Sequence, residues 1–174
     1  MTDDPILPDG VEDITDIQPT RLTMPQRRRA ARLAAVQALY QMDLAGTQDK
    51  TVINEFRNHY FGHADETDRV EGDEDFFEDL VKGVVAKQDD VDAAISAHLS
   101  EKWKLKRLDM TLRAIMRAAS FEIIQRPDVP ALVVIDEYVS IAADFFEGGG
   151  EMNFVNASLD KLAKSVRSAE FGLI

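Results

Sequence analysis

The sequence contains no cysteine, one tryptophan and no long apolar run. The absence of cysteine excludes disulfide bonds, thiolate nucleophiles and zinc sites with cysteine ligands, and it fits a reducing compartment. No apolar stretch approaches the roughly 18 residues of a membrane span, and the N-terminus lacks the basic-then-apolar pattern of a secretion signal. Nucleotide-binding fingerprints, calcium loops and catalytic triads are also missing. We therefore expect a cytoplasmic protein that is not an enzyme and uses no metal, cofactor or membrane.

The charge of the chain is strongly negative but unevenly distributed. The 20 lysines and arginines stand against 32 acidic residues, which gives a formal net charge of −12. Residues 1–24 carry −5 and residues 65–79 carry −8, which leaves +1 for the rest of the chain. As a total, −12 argues against nucleic-acid binding. The distribution predicts instead a near-neutral body with two acidic segments and local basic patches.

Apolar side chains recur every three or four residues through most of the chain, which indicates amphipathic helices. Thr23–Gln26 matches a capping box that opens the first helix, and Gly46 ends it. Ala131–Ile135 has strand-like composition, but its continuation at helical spacing favours a helix. The predicted fold class is all-α with about seven helices. Residues 1–24 are predicted to be an acidic, disordered extension, and residues 25–170 a single helical domain.

Four arginines lie in the first turns of the first predicted helix, with no acidic residue between them: Arg27, Arg28, Arg29 and Arg32. A helix N-terminus carries partial positive charge, so each arginine there costs up to about 0.3–1 kcal/mol. Phosphates gain from the helix N-terminus and from the guanidinium groups together. The cluster predicts a polyanion site; the alternatives are a solvated basic face and neutralisation by the acidic N-terminal residues.

A second basic patch surrounds Trp103 and consists of Lys102, Lys104, Lys106 and Arg107. Cations interleaved with an aromatic ring can neutralise and stack single-stranded nucleic acid. The alternative is that Trp103 packs between helices while the lysines are solvated.

Several segments resemble the NusB transcription antitermination family in order and spacing. QRRRAARLAAVQALYQMDLAG opens the resemblance at residues 26–46, and LRAIMRAASFEI follows at 112–123. DVPALVVIDEYVSIAADFF at 128–146 and NFVNASLDKLA at 153–163 complete it. The resemblance covers roughly residues 25–167 and leaves out both acidic segments.

The resemblance implies an all-helical protein of two packed subdomains, at about residues 25–100 and 101–168. It implies binding of the boxA element of nascent ribosomal RNA as a heterodimer with NusE, a small-subunit ribosomal protein. Other Nus factors and RNA polymerase would join the same antitermination complex and read through terminators. By similarity, Arg28, Arg29 and Arg32 contact the RNA, and Phe154 and Asn156 fall on the family's Phe-Val-Asn motif, next to the RNA surface. For Phe154 the alternative is a core position, and for Asn156 a helix cap.

Other functions remain open at the level of sequence. One is a non-catalytic helical adaptor whose arginine helix binds an acidic protein. Another is the RNA-binding domain of a ribosomal RNA methyltransferase, although 174 residues leave no room for a cofactor-binding sheet. A homodimer of the unpartnered chain is also open. The sequence does not assign the NusE surface, for which the helices that carry Arg113, Arg117 and Glu122 are candidates.

Overall fold

Seven α-helices form the described part of the chain, as predicted. The structure is a computed structural model that describes residues 21–63, 66, 68–100 and 102–173, so most of the predicted extension 1–24 lies outside the described residues. The helices are α1 Met24–Ala45, α2 Asp49–Glu55, α3 Glu74–Ala86, α4 Gln88–His98, α5 Met110–Gln125, α6 Ala131–Phe145 and α7 Glu151–Val166. A π-helical turn, Phe56–Tyr60, continues α2, and 3₁₀ turns occupy Leu105–Arg107 and Ser168–Phe171.

Both ends of α1 form as the sequence predicts. The Thr23 hydroxyl accepts a hydrogen bond from the Gln26 amide at 3.3 Å, and the Thr23 amide donates to the Gln26 side chain at 2.8 Å. This capping box satisfies two donors that the first turn would otherwise leave unpaired. Gly46 ends the helix with φ 68°, a left-handed conformation that glycine adopts without a Cβ clash.

The all-α class is confirmed. A single parallel bridge between Phe61 and Val70 is the only β contact among the described residues. Ala131–Ile135 is helical and begins α6 directly after Pro130, which fits the helical spacing of its apolar side chains. Within the part of the chain that the structure describes, no helix has the length and apolar character needed to cross a membrane.

Helix α5 lies at the centre of the fold and packs against α1, α3, α4, α6 and α7. Its buried side chains join one continuous hydrophobic core that draws residues from all seven helices. Gly83 of α3 permits a close approach to α5, because a Cβ atom there would lie 2.0 Å from the Phe121 ring. The division into two subdomains therefore stays a prediction, since α5 contacts helices of both.

Helices α1 and α5 run antiparallel, and an ion pair joins them near each end. Arg32 in the first half of α1 pairs with Glu122 late in α5, and Asp43 late in α1 pairs with Arg113 at the start of α5. The two partners on α5, Arg113 and Glu122, are nine positions apart, or roughly 14 Å along the helix axis. The two ends of this helix pair carry the two basic clusters that the sequence predicts.

Candidate functional site

The first cluster is the arginine end, formed by Arg27, Arg28 and Arg29 at the start of α1 with the carboxylates around them. Arg27 approaches Glu71 at 4.0 Å, and its guanidinium donates to the Gly72 carbonyl at 3.4 Å. The Asp73 amide donates to the Arg27 carbonyl at 3.1 Å, which holds the acidic segment against α1.

Arg28 lies between two aspartates that come from different parts of the chain. Its Nε is 3.8 Å from an Asp73 carboxylate oxygen, and its Nη1 is 3.8 Å from Asp128. Asp73 also caps α3 by accepting from the Phe76 amide at 3.0 Å. The acidic segment 65–79 therefore also supplies counter-charges to the arginines.

Arg29 is the most accessible arginine of the cluster, with 66% of its side chain exposed. Its Nε and Nη2 donate to the two carboxylate oxygens of Glu137 in α6, each at 3.0 Å. This two-bond geometry is the one that guanidinium groups also use for phosphate. The Arg29 guanidinium is open to solvent although Glu137 is only 14% exposed, so another anion can reach Arg29 from the solvent side.

Arg32 lies in the core, which corrects the expectation that it contacts RNA. Its side chain is 3% exposed, and Glu122, its partner, is fully buried. The Arg32 guanidinium donates to the Glu122 carboxylate at distances from 2.6 to 3.1 Å, and the buried Tyr138 hydroxyl donates to the same carboxylate at 2.9 Å. Burial alone would lower the pKa of Arg32, but the Glu122 hydrogen bonds and charge raise it. Burial raises the pKa of Tyr138, which keeps the phenol protonated as a donor.

Phe76 of α3 lies beneath three guanidinium groups at the arginine end. The guanidinium carbons of Arg28, Arg32 and Arg126 lie 4.7, 5.1 and 4.9 Å from its ring centroid. Such distances allow cation–π attraction. Arg126 also donates both bonds of a bidentate pair to Asp128, at 2.9 and 3.0 Å. Folding therefore supplies the arginines with local partners that offset the unfavourable helix dipole.

The second cluster is the tryptophan end, formed by Lys102–Arg107 and Phe154. Trp103 is 50% exposed, and its ring centroid lies 5.1 Å from that of the half-buried Phe154 at an interplanar angle of 55°. Phe154 is thus neither a full core residue nor a free surface ring. Trp103 does not pack between helices, because half of its surface faces solvent.

The four cations of the second basic patch are all exposed. Within the described residues none of them forms an ion pair, in contrast to Arg27, Arg28 and Arg29. Asn156 is also exposed, and it does not cap α7, whose N-cap is Gly150.

The structure does not bring all predicted site residues together. Arg32 meets α5 at Glu122, whereas Phe154 lines a small groove with Leu112 near the opposite end of α5. The arginine end and the Phe154–Asn156 segment are thus separated by much of the α5 length. Phe154 contacts Trp103 instead, so the Phe-Val-Asn motif lies beside the second basic patch.

The acidic partners of the arginines could not be predicted from the sequence. Glu122, a candidate for the partner surface, is fully buried and cannot contact a partner in this conformation. Its carboxylate stands within an apolar stripe of α5, and a buried acid needs a nearby cation. That signal predicts a partner without identifying which arginine supplies it. Asp73, Asp128 and Glu137 belong to separate segments, and only the fold places them beside the arginines.

Comparison with protein families gives a match over most of the fold. The model of the NusB family matches residues 29–164. A transcription antitermination protein NusB from Maricaulis maris is 57% identical over 145 residues, which cover 83% of this chain and 90% of that protein. The protein of the same name from Caulobacter vibrioides is 49% identical over 143 residues, which cover 82% of this chain and 95% of that protein.

Solved structures agree with this match. A T. maritima NusB structure is 31% identical with a TM-score of 0.66 and covers 84% of this chain and 97% of its own. A chain from a structure of the antitermination factors NusB and NusE in complex with dsRNA has 24% identity and a TM-score of 0.60. It covers 80% of this chain and 98% of its own, and at that identity the likeness shows the fold.

Proposed function

The chain belongs to the NusB family of transcription antitermination proteins, and we propose that it binds the boxA element of nascent ribosomal RNA as a heterodimer with NusE. In this role it helps RNA polymerase, together with other Nus factors, to read through terminators, and it catalyses no reaction. The observation that carries the proposal is the family match over residues 29–164, which spans α1 from Arg29 and the Phe154–Asn156 motif. The choice of NusE and RNA as partners follows the family resemblance, and a structure of the same fold contains NusB and NusE in complex with dsRNA.

Arg29 is the first RNA contact in this proposal. It lies in the first turns of α1, it is well exposed, and its guanidinium already holds an anion in two-bond geometry. An RNA phosphate replaces Glu137 on this guanidinium and gains from the partial positive charge of the helix N-terminus. Arg27 and Arg28 extend the contact, while Arg32 supports α1 from the core.

The adaptor function has one observation in its favour. Every arginine of the arginine end is occupied by a carboxylate of the same chain. A partner rich in aspartate and glutamate would present the same groups, and it would also bind with strong salt dependence. Sequence preference for RNA therefore separates the two functions, whereas salt dependence alone does not.

The experiment is a titration of the full chain, with purified NusE present, against single-stranded boxA RNA and a scrambled RNA of equal length. We expect tighter binding to boxA and a linear fall of log affinity with log salt concentration. Equal affinity for the two RNAs would exclude the proposed function and favour the adaptor.

Arg29 and Glu137 provide a matched pair of variants for the contact itself. Arg29→Ala is expected to weaken boxA binding about tenfold, since it removes a charge-assisted contact. Glu137→Gln breaks the same ion pair but leaves the cation free, and it is expected to strengthen binding by up to about fivefold. If both variants weaken binding equally, the ion pair is structural and Arg29 is not an RNA contact.

A further inference from the structure

Trp103 exposes half of its large apolar side chain to solvent. It lies on a linker between α4 and α5, and its ring centroid is 5.1 Å from that of Phe154. A large ring that is held on one side and open on the other can accept a second flat group. Among biological ligands, nucleic-acid bases supply such groups in series, and each base stacks on an aromatic ring regardless of sequence.

The cations beside Trp103 are available, unlike those of the arginine end. Lys102, Lys104, Lys106 and Arg107 are exposed and form no ion pair with any residue that the structure describes. In a chain of net charge −12, four exposed cations within six residues create a local positive field. Such a field attracts a polyanion, and the interleaved ring adds stacking to charge neutralisation.

The linker that presents Trp103 is fixed by the neighbouring helices. The Arg113 guanidinium donates to the Leu105 and Lys106 carbonyls at 3.4 and 3.3 Å and to Asp43 of α1 at 2.9 and 2.6 Å. Because Arg113 already holds Leu105 and Lys106 in place, ordering this part of the linker costs a ligand little conformational entropy.

Two grooves flank Trp103, and their different linings indicate how a ligand would be oriented. The larger, of about 900 Å³, is lined by Ser96, Leu99, Lys104 and Lys106, and the one acid among its described lining residues, Asp92, is paired with Arg117. The smaller, of about 250 Å³, contains Phe154 but also Asp109 and Glu151. A phosphate backbone is therefore favoured on the lysine side, while the smaller groove suits an uncharged base edge.

We propose that Trp103, backed by Phe154, is a base-stacking site for single-stranded RNA, and that Lys102, Lys104, Lys106 and Arg107 hold the adjacent phosphates. The inference rests on the proposed function and extends it to the opposite end of α5. RNA that contacts both Arg29 and Trp103 runs along the α5 direction.

Trp103 reports on its own contact, because it is the only tryptophan of the chain. Titration of the full chain with single-stranded boxA RNA, with a tryptophan-free form of NusE present, should quench its emission and protect it from acrylamide. Binding at the arginine end alone would leave the emission unchanged. NusE is added first, so its own effect on the emission is recorded separately.

Three variants test the two parts of the site. Trp103→Ala is expected to lose about tenfold or more in RNA affinity, and Trp103→Phe to retain most of it, since stacking accounts for the difference. The double change Lys104→Ala and Lys106→Ala should make the slope of log affinity against log salt less negative by about 1.4, or about 0.7 for each phosphate contact. Lys50→Ala with Lys87→Ala is the control, because both lysines are exposed and lie outside the site.

The outcomes separate this inference from the proposed function. If boxA is preferred over scrambled RNA and Arg29→Ala weakens binding, but Trp103→Ala binds as the parent does with unchanged parent emission, the stacking site is wrong and the proposed function stands. If NusE alone alters the Trp103 emission and RNA adds nothing, the patch is a protein surface and the inference is overturned. If boxA shows no preference, the proposed function itself fails.

Discussion

The arginine end and the tryptophan end both concentrate positive charge, yet they differ in what the rest of the chain does with it. At the arginine end, carboxylates from three separate segments reach the cations, and Arg32 is drawn into the core. At the tryptophan end, the cations stay exposed beside a half-exposed ring. A run of basic residues in a sequence therefore does not measure the free positive surface of the folded protein. The difference predicts that arginine substitutions will combine effects on stability and binding, whereas lysine substitutions will affect binding alone.

The strongest test of this contrast is Arg32→Ala. Removing the guanidinium leaves the Glu122 carboxylate buried with Tyr138 as its remaining partner, and we expect a loss of about 3–5 kcal/mol in the free energy of unfolding. Urea unfolding followed by circular dichroism measures it. Arg29→Ala is the comparison variant, since its guanidinium is exposed and Glu137 keeps some contact with solvent, and it should cost about 1 kcal/mol. Equal unfolding midpoints for the two variants would remove the distinction between a core arginine and a surface arginine.

A smaller effect is expected from Arg113→Ala, which addresses the tryptophan end. The variant loses the Asp43 pair and both bonds to the linker, which we expect to lower the free energy of unfolding by about 1–2 kcal/mol. The freed linker should also make Trp103 more accessible to acrylamide. Arg117→Ala is the control, because Arg117 lies on the same helix as Arg113. It pairs with Asp92 and Asp43 but forms no hydrogen bond to the described linker residues. If both variants change the quenching equally, Arg113 does not hold the linker specifically.

The smallest effect is a pH dependence at the arginine end. Hydrogen bonds from Arg126 lower the pKa of Asp128, against a smaller opposing effect of burial. Because the folded pKa lies below the ordinary value of about 3.9, the stabilisation is present above about pH 4 and is lost as pH falls through the folded pKa. Asp128→Asn should therefore be less stable than the parent at neutral pH, by under about 1 kcal/mol for this half-exposed group, and equally stable in strong acid. Urea unfolding across this range measures the difference, and a gap that is constant with pH would contradict the assignment.

The sequence predicted helix ends well where the chain has a capping or helix-breaking residue. The capping box at Thr23 and the glycine at Gly46 locate both ends of α1. The π-helical turn after α2 was not predicted, because the apolar spacing of Phe56 and Tyr60 is compatible with an ordinary helix. The boundary between α3 and α4 carries no such signal, since the two helices meet at Lys87 without a breaking residue.

The basic residues of the candidate site could be predicted from the sequence, but the carboxylates and aromatic rings that contact them could not. Helical periodicity tells which face of α1 carries arginine, but 90 residues separate Arg32 from Glu122. A local pattern contains no information on a contact at that separation. The same holds for Trp103 and Phe154, which the sequence identified for separate reasons and only the packing of α7 beside the linker joined. Resemblance to the family indicated the RNA-facing motifs, but it did not show that Arg32 is a core residue here.

The contact between Arg32, Glu122 and Tyr138 has a consequence for how the chain finds its fold. The apolar face of α1 is rich in alanine, namely Ala31, Ala34, Ala35 and Ala38, and such a smooth surface tolerates sliding along a neighbouring helix. If α1 slipped by one turn, about 5.4 Å, so that Val36 stood opposite Glu122, a carboxylate would be stranded among hydrocarbon groups. The three polar groups thus penalise a slip of α1 in this direction, whereas a slip of one turn the other way would bring Arg28 opposite Glu122. We expect this contact to disfavour, during folding, packings in which Glu122 faces an apolar side chain of α1.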